Sequence, residues 1–135
     1  MSKFGIIIHG GAGTILKSNM TDELEDAYKQ KLKESLQVGY EILSNNGSAL
    51  DAVQKAVNVM EDSELFNAGK GAVFTHEGNN EQDATIMNGV DLNSGAVAGV
   101  CKVKNPIERS PALPGHIVGD KQDSERTTRL LVIGH

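Results

Sequence analysis

The run His9-Gly10-Gly11-Ala12-Gly13 follows a short apolar segment and could do chemistry through its backbone. Adjacent glycines let main-chain N–H groups approach an anion or a developing oxyanion. A dinucleotide fingerprint does not fit, because G-x-G-x-x-G must open a helix and the next helical pattern starts roughly ten residues later. The oxyanion loop of an α/β-hydrolase does not fit either, since it needs a G-x-S-x-G elbow that the chain lacks. A tight turn that packs two backbones together stays open beside an anion-binding role. A second candidate is Leu65-Phe66-Asn67-Ala68-Gly69-Lys70-Gly71-Ala72-Val73-Phe74-Thr75. Such a loop can present carbonyl oxygens to a hard cation or an amide to a reaction centre. An ordinary helix-to-strand connection is the plainer account, and Lys70 lacks the spacing of a phosphate-loop lysine.

The other titratable residues point to less. Glu81, Asp83 and Asp91 fall in short strands and turns, where solvated turn charges are expected. His9, His76, His116 and His135 form no i, i+4 pair and have no cysteine partner, so a zinc site has little support. The single cysteine, Cys101, rules out an internal disulfide and suits a reducing compartment, which makes the cytoplasm the expected location. It is expected to be a buried, inert thiol within a strand.

These groups need elements to position them. Lys3 to Ile8 reads as a central strand buried on both faces. Thr21 or Asp22 can cap a helix running to about Ser44, with Leu32, Leu36, Tyr40 and Leu43 on the core face, and Asn45-Asn46-Gly47 stops it. Ser48 and Asp51 resemble a capping box that opens a second helix to about Glu61, carrying the stripe Ala49, Val53, Ala56, Val57 and Met60. Ala72–Thr75, Asp83–Met87 and Ser94–Val103 read as strands paired antiparallel through turns at 76–80 and Asn88-Gly89. Strand, two helices, then strands predicts a layered α/β or α+β domain. Pro106, Pro111 and Pro114 cluster after Asn105, so Glu108 to Arg129 reads as a linker or poorly ordered tail, with one short strand at Leu130–Ile133.

The 135 residues suffice for one domain, and 39% hydrophobic with 23% charged content is a globular composition. A net charge of −5 argues against a nucleic-acid partner. The five-residue apolar run Phe4–Ile8 is too short for a secretory core or a membrane span, so no targeting or membrane partner is expected.

Five motifs in order and register carry a resemblance: HGGAG, Ser48-Ala49-Leu50-Asp51-Ala52-Val53, LFNAGKGAVFT, Asp83-Ala84-Thr85-Ile86-Met87-Asn88-Gly89, and Gly95-Ala96-Val97-Ala98-Gly99-Val100 followed by Lys104-Asn105-Pro106-Ile107. Over residues 2 to about 107 the chain resembles the α-subunit portion of plant-type L-asparaginases, or isoaspartyl peptidases, among the N-terminal-nucleophile hydrolases. The resemblance implies part of an αββα sandwich, incomplete in this chain. It also implies a self-cleaving precursor and a β-subunit whose first threonine is the nucleophile, with its own α-amine as base. L-Asparagine and isoaspartyl peptides would be the substrates, and a dimer of αβ units the assembly.

Carried over residue by residue, the resemblance places no catalytic residue in this chain. Asn67 matches the asparagine that orients the nucleophile, and His9, Gly10 and Gly11 match a turn lining the same region. Met60, Glu61, Ser63, Phe66, Ala68 and Lys70 match a loop holding a structural sodium ion, chiefly through main-chain carbonyl oxygens; no organic cofactor is implied. Asn88 stands where the family's turn usually has aspartate. Residues 108–135 form a divergent tail, and neither Thr127 nor Thr128 has the sequence context of the nucleophile. The reacting threonine is therefore expected on other polypeptide, and a non-catalytic piece that associates with a partner chain is the alternative.

Overall fold

The computed structural model describes residues 4–13, 16–112 and 117–119. Its main elements are α1 (Asp22–Ser44), α2 (Ala49–Glu61), β1 (Gln82–Met87), β2 (Ser94–Val100) and β3 (Ile117–Gly119), with 3-10 helices at Lys17–Asn19, Gly69–Gly71 and Pro106–Ala112. Local chemistry sets the helix ends. The Thr21 hydroxyl accepts the Leu24 N–H, and Asp22, Glu23 and Glu25 place negative charge at the positive end of α1. Helix α1 stops where Asn46 turns to φ 60° and the Gly47 N–H bonds the Ile42 carbonyl at 2.8 Å. Ser48 then accepts from Asp51 N at 3.0 Å and donates to the Asp51 carboxylate at 2.7 Å, which starts α2 at once.

The two helices pack through small residues. Ser35 and Gly39 are the buried positions of α1, and Ala52 and Ala56 are two of the three in α2. Ser35 Oγ donates to the Ala56 carbonyl at 2.7 Å, and a Cβ on Gly39 would stand 3.0 Å from the Ala52 oxygen while colliding with Ile6. This corrects the expected core face. Leu36, Tyr40 and Val53 are exposed, because close backbone approach needs small side chains at the seam and turns the larger ones outward.

The first strand is also corrected. Residues 4–13 have no regular secondary structure. Phe4 stacks on Tyr40 at 5.3 Å, Ile6 lies against Gly39 and Gly10 against Leu32, so the segment runs antiparallel along α1. Ile6 and Ile8 are half-buried against the helices, whereas Ile7 is 94% exposed. A strand needs a neighbour for its N–H and C=O groups, and among the described residues nothing pairs with this one or covers its outer side.

Strands β1 and β2 pair antiparallel, with Met87 opposite Ser94, and β3 joins β2 in parallel to give the order β1-β2-β3. The Asn88-Gly89 turn therefore joins strands as expected. Ala72–Thr75 does not form a strand; its carbonyls at Ala72 and Val73 are taken by the Asn80 side chain at 2.6 and 3.2 Å. Gly99, at φ +64°, sits in a bulge of β2 opposite Asp83; Val100 pairs once more with Gln82 before the strand ends, which leaves Cys101 exposed rather than buried. Pro106–Ala112, expected within or beside a linker, is a 3-10 helix that buries Pro106, Ile107 and Ser110 against the sheet. The expected strand Leu130–Ile133, together with His116, His135, Thr127 and Thr128, lies outside the described residues. No helix among the described residues is long and apolar enough to cross a membrane.

The helix seam makes a direct prediction. Gly39→Val places methyl groups where Ile6 and the Ala52 carbonyl already sit, and lowers the unfolding free energy by about 1–3 kcal/mol in urea titration. An unchanged midpoint would mean that the helices do not meet there.

Candidate functional site

The His9 turn and the Asn67 loop meet at one aromatic ring. A Cβ on Gly10 would lie 2.9 Å from Leu32 Cδ2 and 3.1 Å from Phe66 Cε1, so the glycine is what lets the turn close on Phe66. Phe66 is buried and sits edge-on to Tyr28, with ring centres 5.7 Å apart and planes at 85°. Gly11 takes φ +117° and donates its N–H to His9 Nδ1 at 3.1 Å, which holds the imidazole over the turn. His9, Gly10 and Gly11 are themselves exposed.

Asn67, the residue after Phe66, is exposed, and its Oδ1 accepts the Val73 N–H at 2.9 Å. With the oxygen tied back across the loop, Nδ2 is presented as a donor that has no acceptor among the described residues. Two residues that the sequence reading did not single out hold this loop. Gln82 accepts the Gly69 N–H at 2.7 Å and donates to the Val103 carbonyl at 3.2 Å, while Asn80 binds the carbonyls after the loop. No sequence signal marks either one, since an amide beside a strand is usually solvated. Asp83 and Asp91 serve the hairpin: Asp83 accepts the Gly99 N–H across the two strands at 2.8 Å, and Asp91 accepts from Asn93 N in the turn at 3.0 Å.

Residues 60–71 fold back on themselves. Gly69, at φ +56°, lies against the Glu61 carbonyl, and Gly71 lies against the carbonyls of Phe66 and Glu64; a Cβ would clash at either position. The missing side chains thus let the loop close against the carbonyls of Glu61, Glu64 and Phe66. The Met60 carbonyl accepts from Ser63 N at 3.1 Å, the Phe66 carbonyl from Ala68 N at 2.8 Å and the Ala68 carbonyl from Gly71 N at 3.2 Å. The Met60 oxygen also accepts from Asp62 N, whereas those of Phe66 and Ala68 keep a second lone pair. Glu61, Ser63 and Phe66 are buried, Met60 and Ala68 half-buried, and Lys70 reaches outward to pair with Glu64 at 2.8 Å.

The Glu61 side chain is 3% exposed. Its Oε1 accepts the Ile107 N–H at 3.1 Å, while Oε2 is buried with no partner among the described residues. Burial pushes its carboxyl up to about 7, against the Ile107 and Asn105 hydrogen bonds that pull it down and with Glu108 and Asp62 adding repulsion. Next to it, the Lys104 ammonium at 2.8 Å and then Asn105 hold the exposed Asp62 carboxyl below its usual value. The folded chain keeps a proton on Glu61 that the unfolded chain, with its ordinary value of 4.5, has released. This stabilisation is complete below about 4.5 and is lost as pH rises through about 7. Urea titrations between these limits should show Glu61→Gln removing about 1–2 kcal/mol of the pH-dependent decline. Parallel curves for the two proteins would remove Glu61 as the cause.

The family model described as Asparaginase (Asparaginase_2) matches residues 2–113. The isoaspartyl peptidase of Salmonella typhimurium is 47% identical over 118 residues, covering 82% of this chain and 38% of its own length. The isoaspartyl peptidase/L-asparaginase of Xenopus laevis is 46% identical over 103 residues, covering 76% of this chain and 32% of its own. The plant-type L-asparaginase of Pyrococcus horikoshii is 43% identical over 129 residues, covering 96% and 37%. The chain spans about a third of the length of these curated relatives. With the matched region running from before the His9 turn to beyond the helix that buries Ile107, the chain belongs to the Asparaginase_2 family.

Proposed function

We propose that these residues form the supporting part of a threonine-dependent amidohydrolase. It would release aspartate and ammonia from L-asparagine and hydrolyse isoaspartyl peptides. Family membership across residues 2–113 carries this reading, and the meeting of the His9 turn with the Asn67 loop at Phe66 supports it. The reacting threonine belongs to the part of the relatives' length that this chain does not match, and self-cleavage of a precursor exposes it. Its α-amine takes the hydroxyl proton as the oxygen attacks the side-chain carbonyl of the substrate. Ammonia or the peptide amine departs, and water then releases aspartate from the acyl-enzyme.

In this reaction Asn67 is a positioning residue. Its Oδ1 is held by Val73, so its Nδ2 can donate toward the nucleophile's oxygen, and the His9–Gly11 turn borders the same space. The complete protein is an αββα sandwich, assembled as a dimer of αβ units in the cytoplasm. Ile7, Val73 and Phe74 expose apolar surface that a β-subunit would cover. The same exposure favours the second reading, a non-catalytic piece held by a partner chain, and turnover separates the two. Co-expressed with the remaining portion of the Pyrococcus horikoshii relative, the chain should release ammonia from L-asparagine, and Asn67→Ala should cut kcat by about 10²-fold. An assembled but inactive pair would favour the second reading. Turnover by this chain alone would overturn the placement of the nucleophile.

The main-chain oxygens along the 60–71 fold-back suit a sodium ion, because an all-oxygen donor set fits a hard cation. Met60, Glu61, Ser63, Phe66, Ala68 and Lys70 would hold it, and it would stiffen the loop that carries Asn67. Replacing choline chloride with sodium chloride at equal ionic strength should raise the thermal midpoint by a few degrees, corresponding to about 1 kcal/mol. Equal midpoints in the two salts would dismiss the ion.

A further inference from the structure

The chain carries two Asn-Gly pairs, Asn46-Gly47 and Asn88-Gly89, and the fold treats them differently. An asparagine followed by glycine can lose its side-chain amide when the next backbone nitrogen attacks the side-chain carbonyl carbon. Three conditions favour this: a following N–H that is not hydrogen-bonded, room for that residue to move, and a donor polarising the asparagine Oδ1.

At Asn46 the first two conditions fail. The Gly47 N–H is committed to the Ile42 carbonyl at 2.8 Å, and Gly47 is packed so tightly on Ile42 that a Cβ would stand 2.8 Å from that oxygen. At Asn88 all three hold. The Gly89 N–H has no acceptor among the described residues, Gly89 is exposed, and nothing lies within 4 Å of where its Cβ would be. The Val90 N–H donates to Asn88 Oδ1 at 3.1 Å, drawing electron density from the carbonyl under attack. Asn88 is meanwhile pinned by its own N–H to the Asn93 carbonyl and by its carbonyl to the Leu92 N–H, both at 2.8 Å.

We propose that Asn88-Gly89, at the tip of the β1–β2 hairpin, is a site of spontaneous deamidation, and that the end of α1 protects Asn46-Gly47. The bond from Gly89 N to Asn88 Cγ forms, the Cγ–Nδ2 bond breaks, and the Gly89 proton leaves with Nδ2 as ammonia. Water then opens the cyclic imide. Cleavage at Cγ gives aspartate, whose carboxylate can still accept from Val90. Cleavage at the main-chain carbonyl gives isoaspartate, which adds a methylene to the backbone where β1 ends.

Peptide mapping by mass spectrometry on the full chain, kept folded at mildly alkaline pH, follows both sites in one sample. The Asn88 peptide should convert severalfold faster than the Asn46 peptide, and the difference should vanish in urea. Gly89→Val, at a position without a left-handed backbone and open to a side chain, should slow Asn88 severalfold and leave Asn46 unchanged. Conversion of Asn46 as fast as Asn88 in the folded chain, or an Asn88 rate indifferent to Gly89→Val, would overturn the proposal.

Discussion

Glu61 joins three parts of the molecule. It ends α2, it receives the backbone N–H of Ile107 from the 3-10 helix that covers the sheet, and its own carbonyl lies against Gly69 in the loop that carries Asn67. A buried carboxyl left without a partner would be costly, so the chain from Asn105 to Ile107 has to come back to this point. Around it the exposed pairs Lys104–Asp62 and Lys55–Glu108, with Asn105 on Asp62 and Asn58 on Glu108, align the returning segment. Exposed ion pairs contribute little each, whereas the burial of Pro106 and Ile107 that they guide contributes more.

The helices supply the other fixed reference. Ser35, Gly39, Ala52 and Ala56 bring α1 and α2 close enough for a side-chain hydroxyl to bond a backbone carbonyl across the seam. That closeness creates the shelf on which residues 4–10 lie, and so delivers Gly10 to Leu32 and Phe66. The two glycine-rich segments, more than fifty residues apart in the chain, thus become neighbours because small residues were placed elsewhere. Residues 4–8 are covered by the helices on one side, and Ile7 on the other side is 94% exposed.

The Asn67 loop is held by hydrogen bonds from its own residues and from beyond it. Asn67 spends its oxygen on Val73 and keeps its amide hydrogens available, and Gln82 and Asn80 hold the loop from either side. The closure of residues 60–71 depends on glycines at 69 and 71, which let the backbone meet its own carbonyls.

Helix boundaries, the Asn45-Asn46-Gly47 stop, the Ser48–Asp51 cap, the Asn88-Gly89 hairpin and the two glycine motifs were all legible in the sequence. All but the glycine motifs are decided by groups a few residues apart, and short-range hydrogen bonding leaves the same mark in any tertiary context. The buried face of α1, the unpaired Phe4–Ile8 segment, the exposed Cys101, the 3-10 helix at Pro106–Ala112 and the buried Glu61 were not legible. Those depend on which distant surface arrives at a residue. Apolar spacing says that Leu36 and Tyr40 share a helix face, but only the close approach of α2 at Gly39 and Ala52 decides that small residues take the seam and leave those two in solvent.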